Sequence, residues 1–323
     1  MRILHLPISG APLPALALAA VALATAVGPG ASPGAAQQVI APGPATPLES
    51  VGGMVVSEHH VASAVGAEVL AAGGNAVDAA IATGFALAVT HPSAGNIGGG
   101  GFMVIRFPDG TTTALDFREK APLQAFPQMW LDEAGEYSSR LHHGSHRAVG
   151  VPGTVAGFDK AHRLYGQLNW ERLVYPSVAL AEDGFELHEG LANGLRRLVE
   201  GKGAAYDATR AAFTNRGEFY EAGDTLRQLD LGATLGRIMR GRSAGFYRGE
   251  TARLLAEEME RGGGMITEAD LAIYRARERA PVTGFYKGYE IISMPPPSSG
   301  GVALVSMLNI LEGFDLSELE HNS

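Results

Sequence analysis

The stretch Ala76 to Val89 most restricts what this chain can become, because AVDAAIATGFALAV is apolar almost all round. A helix without a polar face cannot lie on a surface and needs neighbours on most of its sides. Other elements must therefore wrap around it. The preceding segment, Val61 to Ala72, supplies the first of them: Val61, Val65, Val69 and Ala72 share a helical face, with Glu68 on its flank. Gly73-Gly74 stops that helix. Asn75 is placed to cap the next, with Asp78 three residues on in capping-box position. His91-Pro92 ends the apolar helix.

Downstream, β-prone runs Phe102 to Phe107 and Thr111 to Phe117 flank Pro108-Asp109-Gly110, a hairpin signal. Helices are predicted at about Gly153 to Tyr165, Trp170 to Glu182, Thr225 to Arg240, Glu250 to Arg261 and Thr267 to Tyr274. Between Glu186 and Asp224 the reading is a long polar excursion. A second hairpin is predicted around Lys287-Gly288. Pro295-Pro296-Pro297 ends its second strand, and Ser298 or Ser299 then caps a last helix running to Leu311. Antiparallel hairpins with helices packed outside predict an α+β layered fold.

The 323 residues are 46% hydrophobic, enough for a substantial core, and carry a net charge of −9 without a Lys/Arg stripe, which argues against nucleic acid as a partner. With no Cys, disulfides, thiol nucleophiles and thiolate metal sites are excluded. Residues 1–36 read as an export signal: Arg2, then the Ala/Leu/Val run Ala15 to Val27, then small residues Gly34-Ala35-Ala36. Residues 37–50 read as a Pro/Ala-rich linker, and 51–323 as the folded body. This predicts a periplasmic or secreted protein with no membrane span after processing.

Four motifs could carry chemistry. Asn96-Ile97-Gly98-Gly99-Gly100-Gly101-Phe102 lets backbone approach closely. It enters a strand and lacks a following Gly-Lys-Ser/Thr, which favours a packing or site-wall role over phosphate binding. Asp116-Phe117-Arg118-Glu119-Lys120-Ala121-Pro122 leaves a strand end. There Arg118 either offers its guanidinium fork to a carboxylate or pairs with Asp116 or Glu119. Met294-Pro295-Pro296-Pro297-Ser298-Ser299-Gly300-Gly301 reads as a rigid strand-to-helix connection, and its serines lack the flanking glycines of a nucleophile elbow. His142-His143-Gly144-Ser145-His146 has neither helical two-His spacing nor a nearby carboxylate, so no metal site and no cofactor is expected.

Taken in order, Glu68 to Ala80, Asn96 to Phe102, Asp116 to Pro122, Gly150-Val151-Pro152-Gly153, Leu180 to Phe185 and Met294 to Gly301 resemble the γ-glutamyltransferase (glutathione hydrolase) family, over about Val51 to the last residue. The resemblance implies an N-terminal-nucleophile hydrolase with an αββα sandwich. It also implies a precursor that cleaves itself into large and small subunits, the new N-terminal Thr attacking the γ-glutamyl carbonyl. Arg118 matches the family's Arg that binds the α-carboxylate of the γ-glutamyl group. The implied partners are glutathione, other γ-glutamyl compounds and the small subunit of the same precursor.

The family's Thr-Thr-His-aromatic-Ser/Thr nucleophile motif has no counterpart before Ser323. Thr90-His91 precedes a proline, and Thr111-Thr112-Thr113 lacks the His. The expectation is therefore a large-subunit portion of an incomplete sandwich, with no catalytic nucleophile among these residues and no activity alone. Two rivals stand: a cephalosporin or glutaryl acylase of the same superfamily, and a non-catalytic secreted binding protein.

Overall fold

The computed structural model describes residues 49–316 and residue 319. The expected signal (1–36) and nearly all of the expected linker (37–50) lie outside the described residues.

Helix α1 (His60–Ala71) and helix α2 (Ala76–Thr90) form the predicted pair. Asn75 Oδ1 accepts from the N–H groups of Val77 and Asp78, and Asp78 Oδ2 accepts from Asn75 N, completing the capping box. The fully buried Asp78 carboxylate also accepts from the Gln167 and Leu168 N–H groups. One local motif thus ties the start of α2 to a loop some ninety residues on. Strands β1 (Phe102–Arg106) and β2 (Thr112–Asp116) pair antiparallel, Phe102 opposite Asp116.

A short helix α3 (Ser139–Gly144) precedes α4 (Thr154–Tyr165) and α5 (Trp170–Asp183). Helix α2 is enclosed by α1, α4 and α5. Its Phe85 meets the rings of Phe158 and Trp170 edge-on, at centroid distances of 5.0 and 5.6 Å.

The middle departs from the sequence reading. The segment read as a polar excursion holds β3 (Phe185–Glu186), α6 (Glu189–Glu200) and α7 (Asp207–Phe213). Helix α6 buries Leu191, Ala192, Leu195 and Val199 on one face and is capped by His188 Nδ1, which accepts from Leu191 N. A narrow apolar stripe among Gly, Arg and Asn is enough once a core receives it. The helix predicted from Thr225 begins only at Leu229. Thr225–Leu226 is strand β4, paired with β3, and α8 (Leu229–Gly241) follows.

Next come α9 (Ala244–Tyr247), α10 (Gly249–Gly262), α11 (Glu268–Ile273) and β5 (Arg277–Arg279). Strand β5 adds to β2, giving a three-stranded sheet in the order β1-β2-β5. Strands β6 (Val282–Tyr286) and β7 (Tyr289–Ser293) form the second hairpin. Its two-residue turn has φ of 46° at Lys287 and 83° at Gly288, the left-handed pair that a tight hairpin requires.

Helix α12 (Gly300–Leu311) packs on that hairpin. Ser299 occupies its N-cap without a side-chain cap bond, while Ser298 Oγ accepts from Gly300 N at 3.2 Å. Composition makes α12 as apolar as α2, yet Val302, Met307 and Ile310 are exposed, as are Phe285 and Tyr289 of the hairpin. Among the described residues, no helix is long and apolar enough to cross a membrane.

Candidate functional site

Strand β2 ends at Asp116, and the chain then turns through Phe117, Arg118 and Glu119. This turn lies between two other motifs singled out in the sequence. On one side the glycine loop pairs with it: Gly101 N donates to Phe117 O at 3.3 Å, and Phe117 N donates to Gly101 O at 3.1 Å. On the other side Lys120 and Val151 exchange two backbone bonds, of 3.2 and 2.8 Å. The glycine loop and the 150–153 segment also hold each other. Gly153 N donates to Gly99 O at 2.7 Å, and Asn96 Oδ1 accepts from both Gly99 N and Thr154 Oγ1. Gly100 and Gly101 serve as packing, since a Cβ on either would strike the 117–119 turn. A Cβ on Gly153 would land on the Phe117 carbonyl oxygen and the Tyr274 hydroxyl, and one on Gly157 would strike the Phe117 ring.

Both main-chain polar groups of Arg118 are held by side chains. Asp116 Oδ1 accepts its N–H at 3.1 Å, and the Tyr274 hydroxyl donates to its carbonyl at 2.8 Å. The guanidinium itself is exposed and makes one bond, from Nη1 to the Pro297 carbonyl at 3.2 Å. This joins the Met294 to Gly301 motif to the Asp116 to Pro122 motif across the fold.

The sequence had offered Asp116 or Glu119 as an ion-pair partner for Arg118. Neither pairs with that guanidinium. Asp116 Oδ2 is taken by Arg279 of β5 at 2.8 Å, because the antiparallel register brings Arg277 opposite Asp116 and Arg279 two residues along. Among the described residues no carboxylate lies within ion-pairing distance of Arg118. Its guanidinium is exposed on a backbone held at both polar groups, the arrangement a guanidinium needs to grip an external carboxylate.

Tyr274, Tyr247 and Arg279 carried no sequence signal that separates them from ordinary helix-end and strand residues, and nothing in the Met294 to Gly301 motif pointed its Pro297 carbonyl toward Arg118. Tyr274 and Tyr247 stack at 5.7 Å with rings 8° apart, and both are buried. The Tyr247 hydroxyl donates to Pro152 O at 2.8 Å and accepts from Ala156 N, bracing the start of α4. Burial pushes the pKa of both phenols up, so each remains a protonated donor. The Lys120 ammonium sits 4.6 Å from the Tyr274 ring centre and donates to Arg275 O. Burial, then the neighbouring Arg277, draws its pKa down.

The histidine cluster does not converge. His142 and His143 both approach the Tyr137 hydroxyl, at 2.9 and 3.3 Å, whereas His146 turns to Glu258 at 2.7 Å. Among the described residues no group of three or more His, Asp or Glu is placed to hold a metal.

In fold, this α+β body is the large-subunit part of an N-terminal-nucleophile hydrolase of the kind seen in solved gamma-glutamyltranspeptidases. The gamma-glutamyltranspeptidase family model matches residues 62–323, and the chain belongs to that family. It is 47% identical over 272 residues to the glutathione hydrolase proenzyme of Escherichia coli, covering 84% of this chain and 47% of that protein. The crystal structure of Helicobacter pylori gamma-glutamyltranspeptidase superposes with a TM-score of 0.84 at 44% identity, covering 86% of this chain and 80% of that one. The acylase ACY 1 proenzyme of a Pseudomonas strain is 39% identical, over 86% of this chain and half of that protein. The chain spans about half the length of the curated relatives it matches.

Proposed function

We propose that this chain is the large-subunit portion of an enzyme that cleaves γ-glutamyl amide bonds, glutathione among them, and passes the glutamyl group to water or an amine. The observation that carries the reading is the Arg118 turn. Its backbone is held at N–H and C=O, and its guanidinium keeps donors for an incoming α-carboxylate. The relatives named glutathione hydrolase proenzymes support the substrate class and processing from a precursor.

The nucleophilic Thr and the oxyanion hole belong, in this reading, to a small subunit outside these residues. The exposed apolar side chains of α12 and of the β6–β7 hairpin support it, since a soluble protein seldom leaves such a surface open. A glutaryl acylase is the second reading, supported by the acylase relatives and by the carboxylate that a glutaryl group also carries. Export to the periplasm or medium, with removal of residues 1–36, completes the proposal.

The test is turnover of γ-glutamyl and glutaryl anilides by the purified chain alone and after co-expression with the C-terminal half of the precursor. No turnover alone, and γ-glutamyl turnover together, is expected. Turnover by the chain alone would overturn the reading and direct attention to Ser298 and Ser299. Preference for the glutaryl anilide would establish the acylase. N-terminal sequencing of the exported product tests the leader, and a product beginning at Met1 would refute it.

A further inference from the structure

We infer that Tyr274 is a positioning residue for substrate recognition, setting the reach of Arg118 by holding its carbonyl; this rests on the reading of Arg118 as the carboxylate-binding residue. The geometry is specific. Of all contacts its hydroxyl could make, it donates to the carbonyl of the one residue whose side chain is offered to the ligand. Asp116 holds the N–H of the same residue, so the peptide units on both sides of Arg118 are tied, and its φ and ψ cannot change without losing a bond. A change in φ or ψ at Arg118 would redirect its Cβ and swing the guanidinium away from Pro297 and from any ligand seated beside it.

The surroundings keep Tyr274 in register. Tyr247 stacks on one face of the ring, and the Lys120 ammonium lies against it, itself anchored to Arg275 O. The absence of a side chain at Gly153 makes the space through which the hydroxyl reaches the turn. The phenol is buried and stays protonated, so it is a permanent donor and has no role as a base. It touches no reacting atom and acts through Arg118.

The experiment is a double-mutant cycle in the complete, processed enzyme, with KM and kcat for a γ-glutamyl anilide as readouts. Tyr274→Phe removes one neutral hydrogen bond, for which a KM increase of about fivefold is expected, with kcat within about twofold. In an Arg118→Ala background the same substitution is expected to change KM by less than about twofold, because the residue it positions is gone. Tyr247→Phe deletes the partner hydroxyl that braces α4 instead. It is expected to lower Tm comparably while leaving KM within about twofold.

If Arg118→Ala leaves KM unchanged, the carboxylate reading itself fails. If Arg118→Ala raises KM while Tyr274→Phe does not, or if Tyr274→Phe adds its full effect in the Arg118→Ala background, only the positioning role is overturned. Failure of Tyr274→Phe to mature while Tyr247→Phe matures also overturns it, by making Tyr274 a folding residue.

Discussion

His59 makes a sharp prediction about acid stability. It is 3% exposed, and neither ring nitrogen has a hydrogen-bond partner. Its ring stacks on His60 at 4.8 Å and on His188 at 5.9 Å, and meets Phe185 edge-on at 5.6 Å. Burial, then the neighbouring bases His60, His188 and His91, lowers its pKa from 6.5 to about 4. A folded-state pKa below the unfolded one means that the unfolded chain takes up the proton first. The neutral ring's contribution is therefore complete above pH 6.5 and is lost as pH falls toward about 4.

At about 1.4 kcal/mol per unit, the shift corresponds to an upper bound of about 3 kcal/mol, and roughly 1–2 kcal/mol is expected after discounting for solvent screening. His59→Phe keeps the ring contacts and removes both unpaired nitrogens. It should raise stability near neutral pH by about 1 kcal/mol and flatten the loss between pH 7 and about 4.5. The assay is urea unfolding of wild type and variant across that range. Asp159 and Asp270 do not confuse it. Hydrogen bonding holds both carboxylates below their usual 3.8 against the opposing effect of burial, so their contributions are lost at lower pH. An unchanged acid slope in His59→Phe would refute the reasoning.

Arg118→Ala in the complete enzyme should lower kcat/KM by roughly 10²- to 10³-fold, mostly through KM, as removing one partner of a desolvated pair costs roughly 3–5 kcal/mol. Arg118→Lys should recover only part of that, since an ammonium lacks the fork, and self-cleavage should survive in both on a gel; near-normal KM would make Arg118 structural. Asn75→Ala removes the acceptor for the Val77 and Asp78 N–H groups and the donor to Tyr165 O at 2.6 Å. It should cost about 1–3 kcal/mol and lower Tm by several degrees, and calorimetry showing no change would remove the cap from the account.

What the sequence alone determined lies within a few residues' reach. The capping box at Asn75 and Asp78, the glycine stop before it and the hairpin turn at Lys287-Gly288 are decided by groups at most four residues apart, so the order of letters suffices. The family motifs likewise marked Arg118. The reading also missed structure: α6 carries Leu191, Ala192, Leu195 and Val199 at helical spacing, a signal passed over because the segment as a whole is polar, and β3 and β4 are too short to recognise apart from each other.

Only the tertiary structure decided what each motif touches. Asp116 goes to an arginine more than 160 residues away, Tyr274 takes the Arg118 carbonyl, and Pro297 takes its guanidinium. The two apolar helices make the same point. By composition α2 and α12 ask for the same surroundings, yet α2 is enclosed and α12 is open. Periodicity states that a face must be covered; which partner covers it depends on where the fold brings distant segments together, and no local pattern records that.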